Sequence, residues 1–177
     1  MAPGAFDPVS LRDALGHFAT GVVVVTAPGL TEADKPVGIT VNSFTSISLE
    51  PPLVLFSAAR KLHSLPALMA AKHFGINLLQ HEQQHVSNRF AAAQSQKWDG
   101  IAFEAGATLG CPLLSNTLGH FECLPHATFD GGDHVIFLVR VVRFWINKTA
   151  EAPLIFFRGD YCNLEQSQPI TAAGNWK

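Results

Sequence analysis

Two β-prone runs, residues 118–127 and 135–145, constrain this chain most strongly. Between them stands Asp130-Gly131-Gly132-Asp133. Glycine supplies the positive φ that a tight reversal needs, and Asp bonds its own backbone, so the segment predicts a long antiparallel hairpin. A lone hairpin is marginal in water, so further strands must pack on it.

The rest of the chain offers them. Residues 22–27 are a β-branched run, and 37–41, 53–57, 73–79 and 153–157 are apolar stretches of strand length. Leu11, Ala14, Leu15 and Phe18 recur at helical spacing, which predicts a short helix with Ser10 as N-cap and Thr20-Gly21 as its end. Residues 64–71 predict a second helix with Pro66 in its first turn, and 80–93 a third, polar one. The tally is about seven strands and three helices joined mostly by turns; helices and strands do not alternate regularly. That disfavours a doubly wound parallel sheet and favours a mainly β fold, a barrel with helices packed on it. A length of 177 residues predicts a single domain, with a core over residues 8–164 and a tail at 165–177.

Composition removes several classes of function. With 47% apolar and 15% charged residues the chain is not disordered. A net charge of −2 leaves no electrostatic footprint for nucleic acid or an anionic membrane. No apolar run reaches the roughly 18 residues of a membrane span. Residues 1–10 lack the basic and apolar regions of a secretory signal. Cys111, Cys123 and Cys162 show no CxxC spacing and predict reduced thiols, hence a soluble, cytoplasmic protein.

His81-Glu82-Gln83-Gln84-His85 has the H-E-x-x-H spacing of a zinc site. Both imidazoles turn away from the apolar anchors Val86 and Phe90, so we read a solvated helix face and assign no metal. Rossmann, P-loop and nucleophile-elbow signatures are absent. Between Thr40 and Ser48, hydroxyls and the Asn42 amide cluster within nine residues. Such neutral donors suit an uncharged heteroaromatic edge or a ribityl chain, and equally a strand with one face in water. Arg60-Lys61-Leu62-His63-Ser64 runs into a helix start, which suits a phosphate or an ordinary exposed cap. Arg89 is a further phosphate partner or a surface charge. His134 follows Asp133 at a strand start, where it can orient a substrate or simply face a neighbouring strand.

Taken in order, these segments resemble the short-chain flavin reductase family, the reductase components of two-component flavin-dependent monooxygenases. The resemblance rests on Phe18-Ala19-Thr20-Gly21-Val22, the block from Gly38 to Pro52, Asn77-Leu78-Leu79 and Arg89-Phe90-Ala91. It continues in Gly131-Gly132-Asp133-His134 and in the run from Pro153 to Tyr161. It implies an antiparallel Greek-key split β-barrel of the FMN-binding type with flanking helices, a homodimer with flavin at the interface.

By that resemblance, Thr40, Val41, Asn42, Ser43, Ser46, Ser48 and Ser57 would line the flavin ring and ribityl chain. Lys61, Ser64 and Arg89 would meet phosphate, with Phe90 beside them. His134 would serve catalysis next to the nicotinamide, with Tyr161 also at that site. The chain departs from many relatives at Val139 and Arg140, where they have a small Gly and an acidic residue. The implied reaction passes hydride from NADH or NADPH to N5 of FMN or FAD, and the reduced flavin serves a separate oxygenase component. Two other readings stand beside it: an oxidase of the pyridoxamine-phosphate type with bound FMN, and a non-catalytic flavin- or haem-binding module.

Overall fold

The computed structural model describes residues 7–31, 33–93, 96–149 and 152–164. The expected tail at 165–177 lies outside the described residues. In chain order the helices are α1 (Pro8–Gly16), α2 (Leu65–Ala70) and α3 (Gln84–Ala91). The strands begin with β1 (Thr20–Gly21), β2 (Val23–Ala27), β3 (Val37–Val41), β4 (Thr45–Leu49), β5 (Pro52–Ala59) and β6 (Phe74–Leu78). They continue with β7 (Phe103–Ala105), β8 (Pro112–Leu114), β9 (Gly119–Gly131), β10 (His134–Ile146), β11 (Ile155–Phe157) and β12 (Asp160–Cys162).

Seven strands form one antiparallel sheet in the order β3-β2-β6-β9-β10-β5-β4. Strands from both halves of this order feed one apolar cluster: Val25 and Ile39 from one side, Phe74 and Cys123 from the middle, Val54, Phe56 and Phe137 from the other. The sheet is therefore curled around a single interior, as a split β-barrel. Phe56 stacks on Phe137 at 4.9 Å and meets Phe74 edge-on at 5.5 Å, so aromatic packing fills the centre.

Period-two alternation sorts β2 between two cores. Val23 and Val25 point into the barrel, whereas Val22 and Val24 point outwards under α3 with Val86, Phe90 and Trp98. Both faces are buried, which explains the unbroken apolar run. Buried Asn77 ties three strands: its Nδ2 donates to the Val24 carbonyl at 3.0 Å, and its Oδ1 accepts from Leu114 N at 2.8 Å.

Several local expectations change. The N-cap of α1 is Asp7, whose carboxylate accepts from Ser10 N at 2.9 Å; Ser10 lies inside the first turn as a donor. The third helix breaks in two, a 3₁₀ turn over His81–Gln83 followed by α3. Among the described residues there are twelve strands rather than about seven: β1, β7, β8 and β12 have only two or three residues each, and β4 is a bulged strand with no apolar run. The short strands and β11 form two small sheets, β1-β11-β12 and β7-β8, at the barrel's side. No helix among the described residues is long and apolar enough to cross a membrane.

Candidate functional site

The β9–β10 hairpin turns through two residues, Gly132 and Asp133, since Gly131 pairs with His134. Gly132 has φ +74°, a value that only glycine adopts readily. The Asp130 carboxylate accepts from Gly132 N at 2.7 Å, and Arg60 locks the turn from outside. Arg60 Nε donates to the Gly132 carbonyl at 2.8 Å, its Nη2 lies 3.1 Å from Asp130 Oδ2, and its own N–H donates to the Asp133 carbonyl at 2.9 Å. The end of β5, the loop 60–64 and the hairpin tip thus form one rigid corner. The Gly132 N–H first, then Arg60, holds the Asp130 carboxyl below its ordinary range.

His134 opens β10 on the outer face, in register with Ala59. Its Nδ1 lies 2.7 Å from Asp133 Oδ1, and its side chain is 41% exposed. That hydrogen bond and the His134 charge hold the Asp133 carboxyl below its usual range, and Lys61 adds a smaller pull. Histidine, carboxylate and lysine, separate readings in the sequence, meet at this corner.

Beside the corner opens a cleft of about 580 Å³. One wall is Lys61, Leu62, His63 and Ser64; the other holds Lys35, Pro36, Lys97 and Trp98, above the end of α3. No carboxylate lines it among the described residues. The helix α2 beyond Ser64 has six residues, Ser64 makes no capping bond, and Pro66 lacks an N–H in its first turn. This wall therefore offers the side chains of Lys61, His63 and Ser64, and no helix terminus adds to it.

The block from Thr40 to Ser48 does not form one polar surface. Thr40 donates to the Ser87 carbonyl at 2.7 Å and so fastens β3 to α3. Val41 packs against the barrel interior. Ser43 Oγ accepts from Ser57 N at 2.9 Å, and Asn42 is exposed. A bulge in β4 sets Ser46 opposite Val54 and Ser48 opposite Leu53, adjacent residues that face opposite sides of β5. Ser57, Ile136 and Phe129 are in register, so Ser57 shares the outer face with His134 two residues along β10.

Other candidate residues have structural partners. Phe90 is 1% exposed, under Gly38 and edge-on to Trp98 at 5.0 Å, so it shapes the cleft from behind. Arg89 donates to the Asp99 carbonyl at 2.6 Å, fixing the loop 96–99. Tyr161 Oη lies 2.8 Å from Ser87 Oγ and donates to Asn88 Oδ1 at 3.1 Å, which places it at α3 rather than at the His134 corner. Val139 is 1% exposed inside the barrel, and Arg140 lies six residues along β10 from His134. In the H-E-x-x-H segment, His81 sits in the 3₁₀ turn with a buried, unpartnered Nδ1, so the fully solvated reading fails for that residue. Among the described residues no three His, Cys, Asp or Glu side chains converge as for a metal.

Lys97 was not singled out by its sequence surroundings. Its Nζ donates to the Phe90 carbonyl at 2.8 Å and the Gly38 carbonyl at 3.3 Å, capping α3 with positive charge. Burial pushes its pKa below the ordinary lysine value. Trp98 Nε1 donates to the Pro36 carbonyl and fixes that wall. Lys97 and Gly38 are 59 residues apart in sequence and Trp98 and Pro36 are 62 apart, and no local pattern marks them.

The family model described as a flavin reductase like domain matches residues 15–165. The chain belongs to the flavin reductase like family. A "probable flavin reductase" of Rhizobium meliloti is 43% identical over 144 residues, 81% of this chain and 45% of that protein, so this chain spans about half of that relative. The reductase subunit of a flavin-dependent monooxygenase from Mycobacterium tuberculosis H37Rv is 35% identical over 97% of this chain and 89% of its own. The NADH:FAD oxidoreductase of Streptomyces globisporus, solved with NAD and FAD fragments, superposes with a TM-score of 0.85 at 33% identity, covering 94% of this chain and 99% of that one. The split-barrel expectation and the family resemblance are both borne out.

Proposed function

We propose that this chain is an NAD(P)H:flavin oxidoreductase that reduces FMN or FAD for a separate oxygenase, and that it works as a cytoplasmic homodimer built on residues 8–164. The observation that supports this reading most is the rigid corner, where Arg60 fastens the His134 hairpin tip to the Lys61–His63–Ser64 wall of a cationic cleft. A basic, carboxylate-free cleft beside neutral hydroxyls fits a phosphorylated heteroaromatic ligand. The relatives' names, which include an NADH:FAD oxidoreductase and a monooxygenase reductase subunit, support the reaction and the oxygenase partner.

When bound, flavin supplies the N5 that accepts hydride from the nicotinamide. The protein's task is to hold and orient. Lys61, His63 and Ser64 meet phosphate. Asp133 accepts from His134 Nδ1, fixing the imidazole and leaving Nε2 to meet the nicotinamide carboxamide. Ser57, Leu55, Ile136 and Leu138 form the uncharged outer face next to His134, which a second subunit covers to exclude water.

The second subunit has a place to dock. β10 pairs with β5 only from His134 to Arg140, so from residue 141 its outer edge has no strand partner among the described residues. Phe144, Trp145 and Ile146 lie along it, 65%, 48% and 46% exposed. An apolar edge of this kind suits a second copy of the chain. Free Cys111, Cys123 and Cys162 fit a reducing compartment.

The test is NADH and NADPH oxidation by the purified protein with added FMN, FAD or riboflavin. Saturable, flavin-dependent oxidation is expected; none with any pair rejects the reading. His134→Ala should raise the KM for the nicotinamide donor about tenfold while flavin affinity stays within about twofold. Unchanged nicotinamide kinetics would remove His134 from that role.

A further inference from the structure

Phe129, on β9, is an aromatic residue that the barrel core does not use. It pairs with Ile136, so it stands on the outer face with His134, one diagonal step across the hairpin. It is 53% exposed. The other exposed rings on strands have aromatic neighbours: Phe103 meets Trp98 at 4.7 Å, Trp145 stacks on His120 at 5.3 Å and Phe144 lies 6.2 Å from Phe121. Among the described residues no ring packs on Phe129. The space beside it is kept clear. Gly131 stands opposite His134 without a side chain, and a Cβ there would lie 3.0 Å from Ile136 and 3.3 Å from the His134 carbonyl. The Nδ1 bond ties the imidazole to Asp133 at the tip. The next pair along this face, Ala127 and Leu138, is uncharged. An open apolar ring within reach of a hydrogen-bonding imidazole suits a flat ligand with one polar substituent.

Resting on the reductase reading, we propose that Phe129 positions the donor: its phenyl face takes the nicotinamide ring while His134 meets the carboxamide. The carboxamide is the one hydrogen-bonding group on that ring, so the rest of it can lie on a phenyl. The isoalloxazine fits less well, because it carries a whole hydrogen-bonding edge. The Ser57 hydroxyl that would serve such an edge belongs to β5, across β10 from Phe129. Strand β10 thus separates a hydroxyl-bearing side from an aromatic one. The oxidised nicotinamide ring is a cation, which the negative face of a phenyl also attracts.

Proton NMR of oxidised nicotinamide mononucleotide, titrated with the full chain without flavin, tests this. That ligand has no adenine to stack on its own ring, so an upfield shift of its nicotinamide protons reports a ring of the protein. The wild type should give that shift. Phe129→Leu changes an exposed position and should leave thermal unfolding unchanged. It should abolish the shift and raise the KM for NADH about fivefold, with the KM for flavin within about twofold. Phe129→Tyr keeps the ring and should restore both. A shift that survives Phe129→Leu, or NADH kinetics unchanged by it, overturns the proposal. Loss of the fold in Phe129→Leu overturns it too, by giving the ring a packing role instead. A wild type that shifts the nicotinamide protons yet oxidises no NADH would keep the Phe129 platform and break the reductase reading. Flavin-dependent NADH oxidation without any such shift would do the reverse.

Discussion

The strand β2 and the last seven residues of β10, 140–146, are both rich in apolar side chains, yet they have opposite fates. Every residue of β2 is buried. Of 140–146 only Val141 is half-buried and the rest are exposed. The cause is neighbourhood rather than composition. β2 lies between β3 and β6 and has the barrel core on one face and α3 on the other. The end of β10 keeps β9 on one edge only, and among the described residues no helix covers it. An apolar strand with one edge and one face free is the surface that the proposed second subunit would cover.

The largest effect should come from the covered region. Phe56→Ala removes a ring that contacts Phe74 and Phe137 in the barrel centre, and a buried Phe→Ala change costs about 3–5 kcal/mol. Urea denaturation should show that loss; a cost below about 1 kcal/mol would mean the barrel collapses around the gap. At the uncovered end, Phe144→Asp should change the stability of the folded subunit by less than about 1 kcal/mol, since its side chain faces solvent. It should instead halve the mass measured by sedimentation. A wild-type protein that sediments as a monomer would erase the contrast between free edge and covered core.

The thiols sharpen the same comparison at smaller amplitude. Burial pushes Cys111 and Cys123 up to about 12, and Cys123 points into the barrel interior. At pH 8 a disulfide reagent should titrate half-buried Cys162 first and reach the other two only after unfolding. Unfolded thiols release protons near 9.0 while the folded ones hold theirs to about 12, so this contribution to stability is complete below pH 9 and is lost as pH rises towards 12. Cys123→Ala should flatten the alkaline arm of a stability profile; an unchanged slope would count against a buried thiol there.

The same division governs what could be read from residues alone. The β-branched runs became β2, β3, β5 and β6, and Gly132 turned the long hairpin, because side-chain branching and a positive φ are local properties. The short strands β1, β7, β8 and β12 were illegible, since a period needs more than one repeat to show. The β4 bulge was equally hidden, and it separates Ser46 from Ser48 although their spacing suggests one face. Within the site, Lys61, His63, Ser64 and the Asp133–His134 pair were legible as a basic loop and a turn. Lys97, Trp98 and the Arg60 clamp were not, because their partners lie across the fold.

The sequence by itself therefore determined the elements: which stretches extend, where the chain reverses, and which residues have the chemistry for a phosphorylated ring. Only the tertiary structure decided which of those residues are free to use it. Thr40 binds α3, Ser43 binds the Ser57 amide, and Arg89 holds a loop, while Lys61 and His134 remain at one rigid corner. The physical reason is that backbone geometry is set within a few residues, whereas hydrogen-bond partners and burial depend on which chain segments meet once the sheet has curled, whether 10 residues apart as Arg89 and Asp99 or 47 as Thr40 and Ser87.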